Sequence, residues 1–320
     1  MNWKLLYIAP LTTLLAAAQQ APPAFTPPAD IAYRTANIIS EGTRMSAEVY
    51  APKDATGKLP CILMAHGWGG NAAGLRRDAV YFAKAGYFVT AFDYRGWGPS
   101  DARLILTKPA PSERPAGKFT AEVQEVRAVV DPIDQGIDWL NAIHWISAES
   151  QCDMNRFGLW GSSFSGGLVV WAAERDPRVK AIHSQVGSLT GQTLLADPKA
   201  KQQMLEEATG YARGTKQYPE AYKKEVGNLI GAPIRAKFVI YAPVDEVNLA
   251  PNCAMQFLIA EKEELFDNKD HAILAHERFK GTKRLITIPK ITHYGIYYEA
   301  RIEAQKLALE WFDLHLKGRK

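Results

Sequence analysis

The chain predicts an α/β protein: a mostly parallel eight-stranded sheet with helices on both faces and a helical cap inserted late in the sequence. Three observations carry this reading. Continuous apolar runs, such as Cys61-Ile62-Leu63-Met64-Ala65 and Phe88-Val89-Thr90-Ala91-Phe92, alternate with helix-prone stretches, and strands without polar alternation belong to sheets covered on both faces. Two earlier segments, 33–39 and 46–50, alternate polar and apolar residues instead, as an antiparallel edge open to water does. Finally, the short apolar strand ending at Trp160 runs through Gly161-Ser162-Ser163-Phe164-Ser165-Gly166-Gly167, a sharp turn that opens directly into a helix.

Taken in order, the chain begins with Met1-Asn2-Trp3-Lys4, a mostly apolar run to Leu15, and Ala16-Ala17-Ala18. A positive start, a short apolar core and a small-residue cleavage site read as a secretory signal over 1–18, too short for a stable membrane span. An uncleaved anchor is the alternative. Residues 19–30, rich in Pro and Ala, read as a flexible leader, and 31–320 as one catalytic-size domain. Strands are expected near 33–39, 46–50, 61–65, 88–92, 157–160, 181–186, 255–260 and 285–288. Asp131-Pro132-Ile133-Asp134 marks a helix start, with an N-cap, a proline in the first turn and an early carboxylate. The polar stretch from about 188 to 252 is surplus to the strand–helix alternation and is the expected cap. The Pro-rich 108–119 segment is a second candidate for the rim of a site.

Composition narrows the function. The 320 residues are 47% hydrophobic and 22% charged, enough for a large core, and carry a mild net charge of +4. The basic tail Lys317-Gly318-Arg319-Lys320 reads as a solvated terminus, not a nucleic-acid contact. No paired C-x-x-C, H-E-x-x-H or P-loop pattern occurs, so neither metal nor nucleotide cofactor is indicated. Of the three cysteines, Cys61 opens an apolar strand and is expected to be buried, while Cys152 and Cys253 lie in loops before strands and could pair.

The turn at 161–167 is the feature that points to chemistry. A serine lifted above a sheet edge in a strained turn tolerates only small neighbours two positions away. With Ser163 in that place the flanking residues are Gly161 and Ser165; Ser162 would bring in Trp160 and Phe164, and Ser165 would sit a turn too deep. Ser163 is therefore the expected nucleophile. Such a hydroxyl needs a base, an orienting acid and an oxyanion hole, and in this kind of fold acid and base follow the serine in that order. His293 begins a loop after the strand-like Leu285-Ile286-Thr287-Ile288, where a general base belongs. His271 and His276 read as solvated helix residues and His315 as a packing residue. Glu263, between the last two strands, is the expected acid, with Glu264 beside it as a lesser alternative. Asp245 is the other alternative, better explained as a helix N-cap after the apolar run 238–242.

Two backbone N–H groups should face the developing oxyanion: that of Phe164, at its helix start, and that of Trp68, in the glycine-rich turn His66-Gly67-Trp68-Gly69-Gly70. His66 is expected to orient that turn. Trp68, Tyr94, Phe164 and Tyr294 suggest an apolar acyl or aromatic pocket, with Tyr94 and Tyr294 as lining residues.

These motifs, with Asp93-Tyr94-Arg95-Gly96-Trp97-Gly98-Pro99-Ser100 and Ala260-Glu261-Lys262-Glu263-Glu264-Leu265, stand in the order of the α/β-hydrolase superfamily. From about Ile31 to the C-terminus the chain resembles its dienelactone-hydrolase-like and X-Pro-dipeptidyl-peptidase-like branch. The resemblance implies the α/β-hydrolase fold and a serine hydrolase acting on an ester, less often an amide. It departs at Ser165, where the elbow motif has glycine, and at Glu263, where most members carry aspartate. The expected activity is that of an exported carboxylic-ester hydrolase with a small-molecule substrate. The alternatives are a serine peptidase and a low-turnover binding protein on a hydrolase scaffold.

Overall fold

The computed structural model describes residues 25–318; the predicted signal segment and residues 19–24 of the leader lie outside them. The sheet has eight strands: β1 (Ile31–Ser40), β2 (Thr43–Pro52), β3 (Leu59–Ala65), β4 (Phe88–Phe92), β5 (Cys152–Ser162), β6 (Ala181–Gln185), β7 (Ala254–Lys262) and β8 (Lys283–Thr292). Their spatial order is β1-β2-β4-β3-β5-β6-β7-β8. β2 runs antiparallel to both its neighbours, and the remaining pairs are parallel. All eight predicted segments are strands, and six of them extend beyond the expected bounds because ladder pairing continues past the apolar centre. β5 is the clearest case: its polar start pairs Cys152 with Leu59 before the register shifts and the buried run begins.

The side-chain alternation of β3 shows why the sheet needs cover on both sides. Cys61, Leu63 and Ala65 enter one core, with Trp139 of α2 (Pro132–Ser147) and Leu168 of α3 (Phe164–Ala173). Ile62 and Met64 enter the other, with Phe82 of α1 (Arg76–Lys84) and Phe312 at the C-terminus. Each fully buried side chain of this size contributes about 1.5–3 kcal/mol. The predicted start of α2 is as expected: Pro132 opens the helix, and Asp131 Oδ1 accepts the Ile133 and Asp134 N–H groups at 3.0 and 3.1 Å.

Between β6 and β7 the chain leaves the sheet and builds the cap region. It contains α4 (Pro198–Arg213), short paired strands at Lys224–Val226 and Leu229–Ile230, and single helical turns at Arg235–Phe238 and Pro243–Glu246. The apolar run 238–242, which has strand composition, is thus the end of a helical turn followed by coil. Phe238 and Tyr241 bury their rings against Phe164 instead of pairing in the sheet. After β7 come α5 (Ala272–Arg278), β8 and the C-terminal α6 (Arg301–Leu316).

Four expectations are corrected. The disulfide joins Cys61 to Cys152, with Cα atoms 5.8 Å apart, and Cys253 is a buried free thiol; β3 and β5 are sheet neighbours, a proximity invisible in linear spacing. Phe25, assigned to a flexible leader, stacks edge-on to Tyr33 at 5.0 Å and lies under the Arg76 guanidinium. The 108–119 segment tops a hairpin formed by Arg103–Leu106 and Val123–Val126 and lines neither cavity beside Ser163. In the basic tail, Lys317 is anchored, its Nζ bonding the Ala85 carbonyl and Asp313 at 2.7 Å each. Among the described residues no helix is long and apolar enough to cross a membrane.

Candidate active site

The turn at the end of β5 carries strain where a nucleophile should. Ser163 has φ 58° and ψ −125°, a conformation that costs a non-glycine residue of order 1–3 kcal/mol and persists only when the surroundings fix it. Here they do. The Ser163 N–H donates to the Gln185 carbonyl at 2.9 Å, and its own carbonyl accepts from Gly166 at 2.8 Å and Ser188 at 3.2 Å. Gly161 allows the tight return: a Cβ there would collide with the Ser165 carbonyl. Ser165, the departure from the elbow motif, is fully buried and its Oγ accepts from the Tyr94 hydroxyl at 3.2 Å. The Tyr94 oxygen in turn accepts the Trp139 Nε1–H at 3.1 Å. Ser165 therefore occupies the second glycine position with its hydroxyl satisfied. Tyr94 accordingly belongs to the core and lines no pocket, because burial holds it inside the sheet–helix layer.

Three expected residues come together in a line. His293 follows β8, and its Nε2 lies 2.9 Å from Ser163 Oγ. Its Nδ1 lies 2.9 Å from both carboxylate oxygens of Glu263. A carboxylate accepts only, so Nδ1 carries the proton and Nε2 is left to accept from the serine. Both side chains of the His293–Glu263 pair are 2% exposed. Glu263 Oε1 is further held by the Leu265 N–H at 3.1 Å. Glu264 takes a supporting position, accepting the His293 backbone N–H at 2.6 Å.

Asp245 is elsewhere. It lies inside the Pro243–Glu246 turn, whose N-cap is Ala242, so it is not the N-cap its sequence context suggests. Its carboxylate pairs with Arg278 on the surface. His271 is buried, not solvated, and its Nδ1 accepts the Leu189 N–H at 2.8 Å, tying the base of the cap to α5. His276 is half-buried, and His315 packs on Trp311 with ring centroids 4.1 Å apart.

The glycine-rich turn after β3 approaches the elbow closely: a Cβ on Gly67 would lie 2.8 Å from the Ser162 carbonyl oxygen. His66 Nδ1–H donates to the Gly67 carbonyl at 2.8 Å, and its Nε2 stands 3.7 Å from Asp93, which accepts the Ala72 N–H. Burial lowers the His66 pKa to about 4 and raises that of Asp93 to about 7. Among the described residues no hydrogen bond engages the backbone N–H of Trp68 or Phe164. The Trp68 ring is wedged between scaffold and cap: it meets Phe164 edge-on at 5.9 Å, stacks on Phe238 at 5.8 Å, and donates its Nε1–H to the Gly231 carbonyl at 3.0 Å.

Ser163 sits where two cavities meet. A cleft of about 430 Å³ reaches from Ser163 and His293 past Tyr297 to Asn71, Arg301 and Gln305, with Tyr294 on its rim. The second, of about 310 Å³, lies under the cap and is mainly apolar, lined by Phe164, Phe238, Met204, Leu229 and Phe266. Sequence reasoning missed most of these residues. Tyr297 carried one usable signal, four positions after the histidine; Phe238, Met204 and Arg301 carried none, since only folding brings them to the serine.

A doubly covered sheet in the order β1-β2-β4-β3-β5-β6-β7-β8, with a strained serine turn after β5, is the α/β-hydrolase architecture. The model of the X-Pro dipeptidyl-peptidase family (S15) matches residues 41–194. A 31.7 kDa protein from the traX-finO intergenic region of Escherichia coli is 26% identical over 314 residues, covering 88% of this chain and 99% of that protein. The quorum-quenching protein AidA of Acinetobacter baumannii is 32% identical over 147 residues, 46% of this chain and 41% of AidA. Among solved structures, the α/β-hydrolase GrgF from Penicillium sp. sh18 superposes with a TM-score of 0.71 at 17% identity, covering 89% of this chain and 99% of GrgF. The chain has the α/β-hydrolase fold, and over residues 41–194 it is similar to the X-Pro dipeptidyl-peptidase family. It is a serine hydrolase.

Proposed function

We propose that this hydrolase cleaves a carboxylic ester of a small molecule through an acyl-enzyme on Ser163. The observation that carries the proposal is the unbroken file Glu263–His293–Ser163, with 2.9 Å at each step, opening on a cavity with an apolar lobe. Ser163 Oγ attacks the carbonyl carbon as His293 Nε2 takes its proton. Glu263 holds the imidazole in the required tautomer and stabilises the imidazolium. The Trp68 and Phe164 N–H groups bind the oxyanion, a role worth about 10²–10³-fold per donor. His293 then protonates the departing alcohol, and water, deprotonated by the same histidine, releases the acid.

The match to the X-Pro peptidase family supports a second reading, a serine peptidase. An amide substrate of that kind needs a free carboxylate for the peptide amine. Asp78 is the carboxylate lining the cleft, and Arg301 and Gln305 each already hold it at 2.7 Å. The ester reading is therefore preferred. We also place the enzyme outside the cytoplasm: the N-terminal signal pattern supports export, and the Cys61–Cys152 disulfide suits an oxidising compartment.

The test is hydrolysis of p-nitrophenyl esters, acetate through octanoate, beside Ser163→Ala. Turnover that falls by roughly 10⁵–10⁶-fold in the variant supports the mechanism, and the preferred chain length sizes the apolar lobe. A folded protein that cleaves no ester but cleaves Xaa-Pro amides returns the assignment to a peptidase.

A further inference from the structure

One polar side chain beside the nucleophile has no part in the scheme above. The Tyr297 hydroxyl lies in the cleft with Ser163 and His293 and is 2.7 Å from Ser162 Oγ. A row of side chains, buried apart from the half-buried Arg284, runs from this pair across the sheet to the C-terminal edge. Strand register places Arg284 beside Gln256 and Gln256 beside His183. Two residues along β6, Gln185 stands opposite Ser162. Hydrogen bonds follow that row: Arg284 Nη2 to Gln256 Oε1 at 2.6 Å, Gln256 Nε2 to His183 Nδ1 at 3.0 Å, His183 Nε2 to Gln185 Oε1 at 3.4 Å, and Gln185 Nε2 to Ser162 Oγ at 2.9 Å.

The polarity of this row follows from its charged end as far as Ser162. A guanidinium only donates, so Gln256 must turn its carbonyl oxygen to Arg284 and its NH₂ to His183. The same NH₂ also reaches the Leu307 carbonyl at 3.3 Å, which fixes that orientation a second time. His183 Nδ1 then accepts, so its proton sits on Nε2. Burial keeps the ring neutral, with its pKa lowered to about 3. Gln185 receives that proton on its carbonyl oxygen and gives an amide N–H to Ser162. Ser162 Oγ accepts from Gln185, and in the arrangement that gives the Ser162 proton an acceptor, that proton goes to the Tyr297 oxygen. The Tyr297 proton is thereby free to point into the cleft, towards Ser163. The phenol keeps that proton at neutral pH, since burial pushes its pKa up to about 12 against the opposing pull of the Ser162 and Ser163 hydroxyls.

We propose that Tyr297 is a further catalytic residue, donating a hydrogen bond to Ser163 Oγ, and that Arg284, Gln256, His183, Gln185 and Ser162 are the positioning residues that aim it. The proposal rests on the Ser163 hydrolase reading. In acylation Tyr297 stabilises the charge on Oγ as its proton passes to His293. In deacylation the C–Oγ bond breaks, its electron pair returns to Oγ, and His293 returns the proton while Tyr297 again supports the charge. Tyr297 keeps its proton throughout.

The experiment follows the rate at which a fluorophosphonate probe labels Ser163, together with p-nitrophenyl acetate kinetics, in the full chain. The variants are Tyr297→Phe and Gln185→Glu. The glutamate keeps the shape of the row, but its carboxylate draws the Ser162 proton away from Tyr297. Loss of one hydrogen bond to a charged atom predicts labelling and kcat slowed about 10- to 100-fold in Tyr297→Phe, with KM unchanged. Gln185→Glu should reproduce the loss at neutral pH and recover at a pH where the new carboxyl is protonated, a recovery that mere misfolding would not give. Labelling within twofold of the parent in both variants, or a loss in Gln185→Glu that does not change with pH, overturns the proposal. If the folded parent labels no faster than Ser163→Ala, the hydrolase reading itself fails, and the proposal with it.

Discussion

The elbow and the cap meet at Ser163 and are held by different forces. The elbow is backbone fitted to backbone: Ser163 N–H and carbonyl are bonded into β6 and the turn after it, and Gly161 leaves no room for a side chain. The cap is joined to the scaffold by one short backbone ladder, Ala232–Pro233 against Val129–Val130, and otherwise largely by side chains. Within the cap, Glu207 of α4 takes the Arg235 N–H at 2.8 Å and the Lys216 ammonium at 3.0 Å. The Trp68 indole reaches the Gly231 carbonyl, and His271 holds Leu189. Backbone packing leaves few alternatives, whereas side-chain fastenings can change residue by residue. On the proposed mechanism, the scaffold carries the reaction chemistry and the cap the substrate choice, with Trp68 belonging to both.

The sharpest way to break that division lies in the acid. Glu263→Gln leaves the scaffold packed but removes the charge opposite the imidazolium, so kcat for an activated ester should fall by roughly 10³–10⁴-fold. Asp245→Asn, at the cap's surface ion pair with Arg278, should change kcat less than twofold. Equal losses in steady-state assays of the two would show that the line at His293 is not the working one.

A smaller effect probes the scaffold's electrostatics. Burial raises the Asp93 pKa from 3.8 to about 7. A group raised on folding contributes stability that is complete below its unfolded pKa and lost as pH rises through the folded value. The Ala72 N–H contact at 2.7 Å can be kept by an amide oxygen. Asp93→Asn should therefore gain stability relative to the parent between pH 5 and 8, by roughly 2–3 kcal/mol over that interval. Denaturant titrations at the two pH values check it; a difference independent of pH would mean that Asp93 ionises freely in the folded protein.

The smallest effect lies in the cap. Met204 is buried on α4 and lines the apolar lobe. Met204→Ala should move the preferred acyl chain to a longer one, changing kcat/KM for individual esters by up to about tenfold, while the rate of Ser163 labelling by a small fluorophosphonate stays within twofold. A large fall in labelling would show that the cap also shapes the elbow.

Much of the scaffold was legible from residue order because its signals are local. Apolar runs define strands whose two faces are both buried, the 161–167 turn admits one serine frame, and Thr292-His293 follows a strand in the position of a base. One cue of the same kind misled. Asp245 before a short apolar stretch reads as an N-cap, yet its carboxylate finds Arg278. Local propensity is decided by whichever partner the fold supplies.

By itself, the sequence located the strands along the chain, the sharp turn that carries Ser163, the His293 loop, and Glu263 between the last two strands. Periodicity, turn chemistry and chain order are properties of neighbouring residues. Only the tertiary structure decided that Cys61 pairs with Cys152, that Tyr94 is core, that Ser163 opens on two cavities, one of them under the cap, and that Arg284 stands five side chains from Tyr297 along one hydrogen-bonded row. These depend on strand register and on contacts between distant segments. Such contacts form because burying apolar surface closes the sheet between its helices, and no spacing along the chain records which side chains then meet.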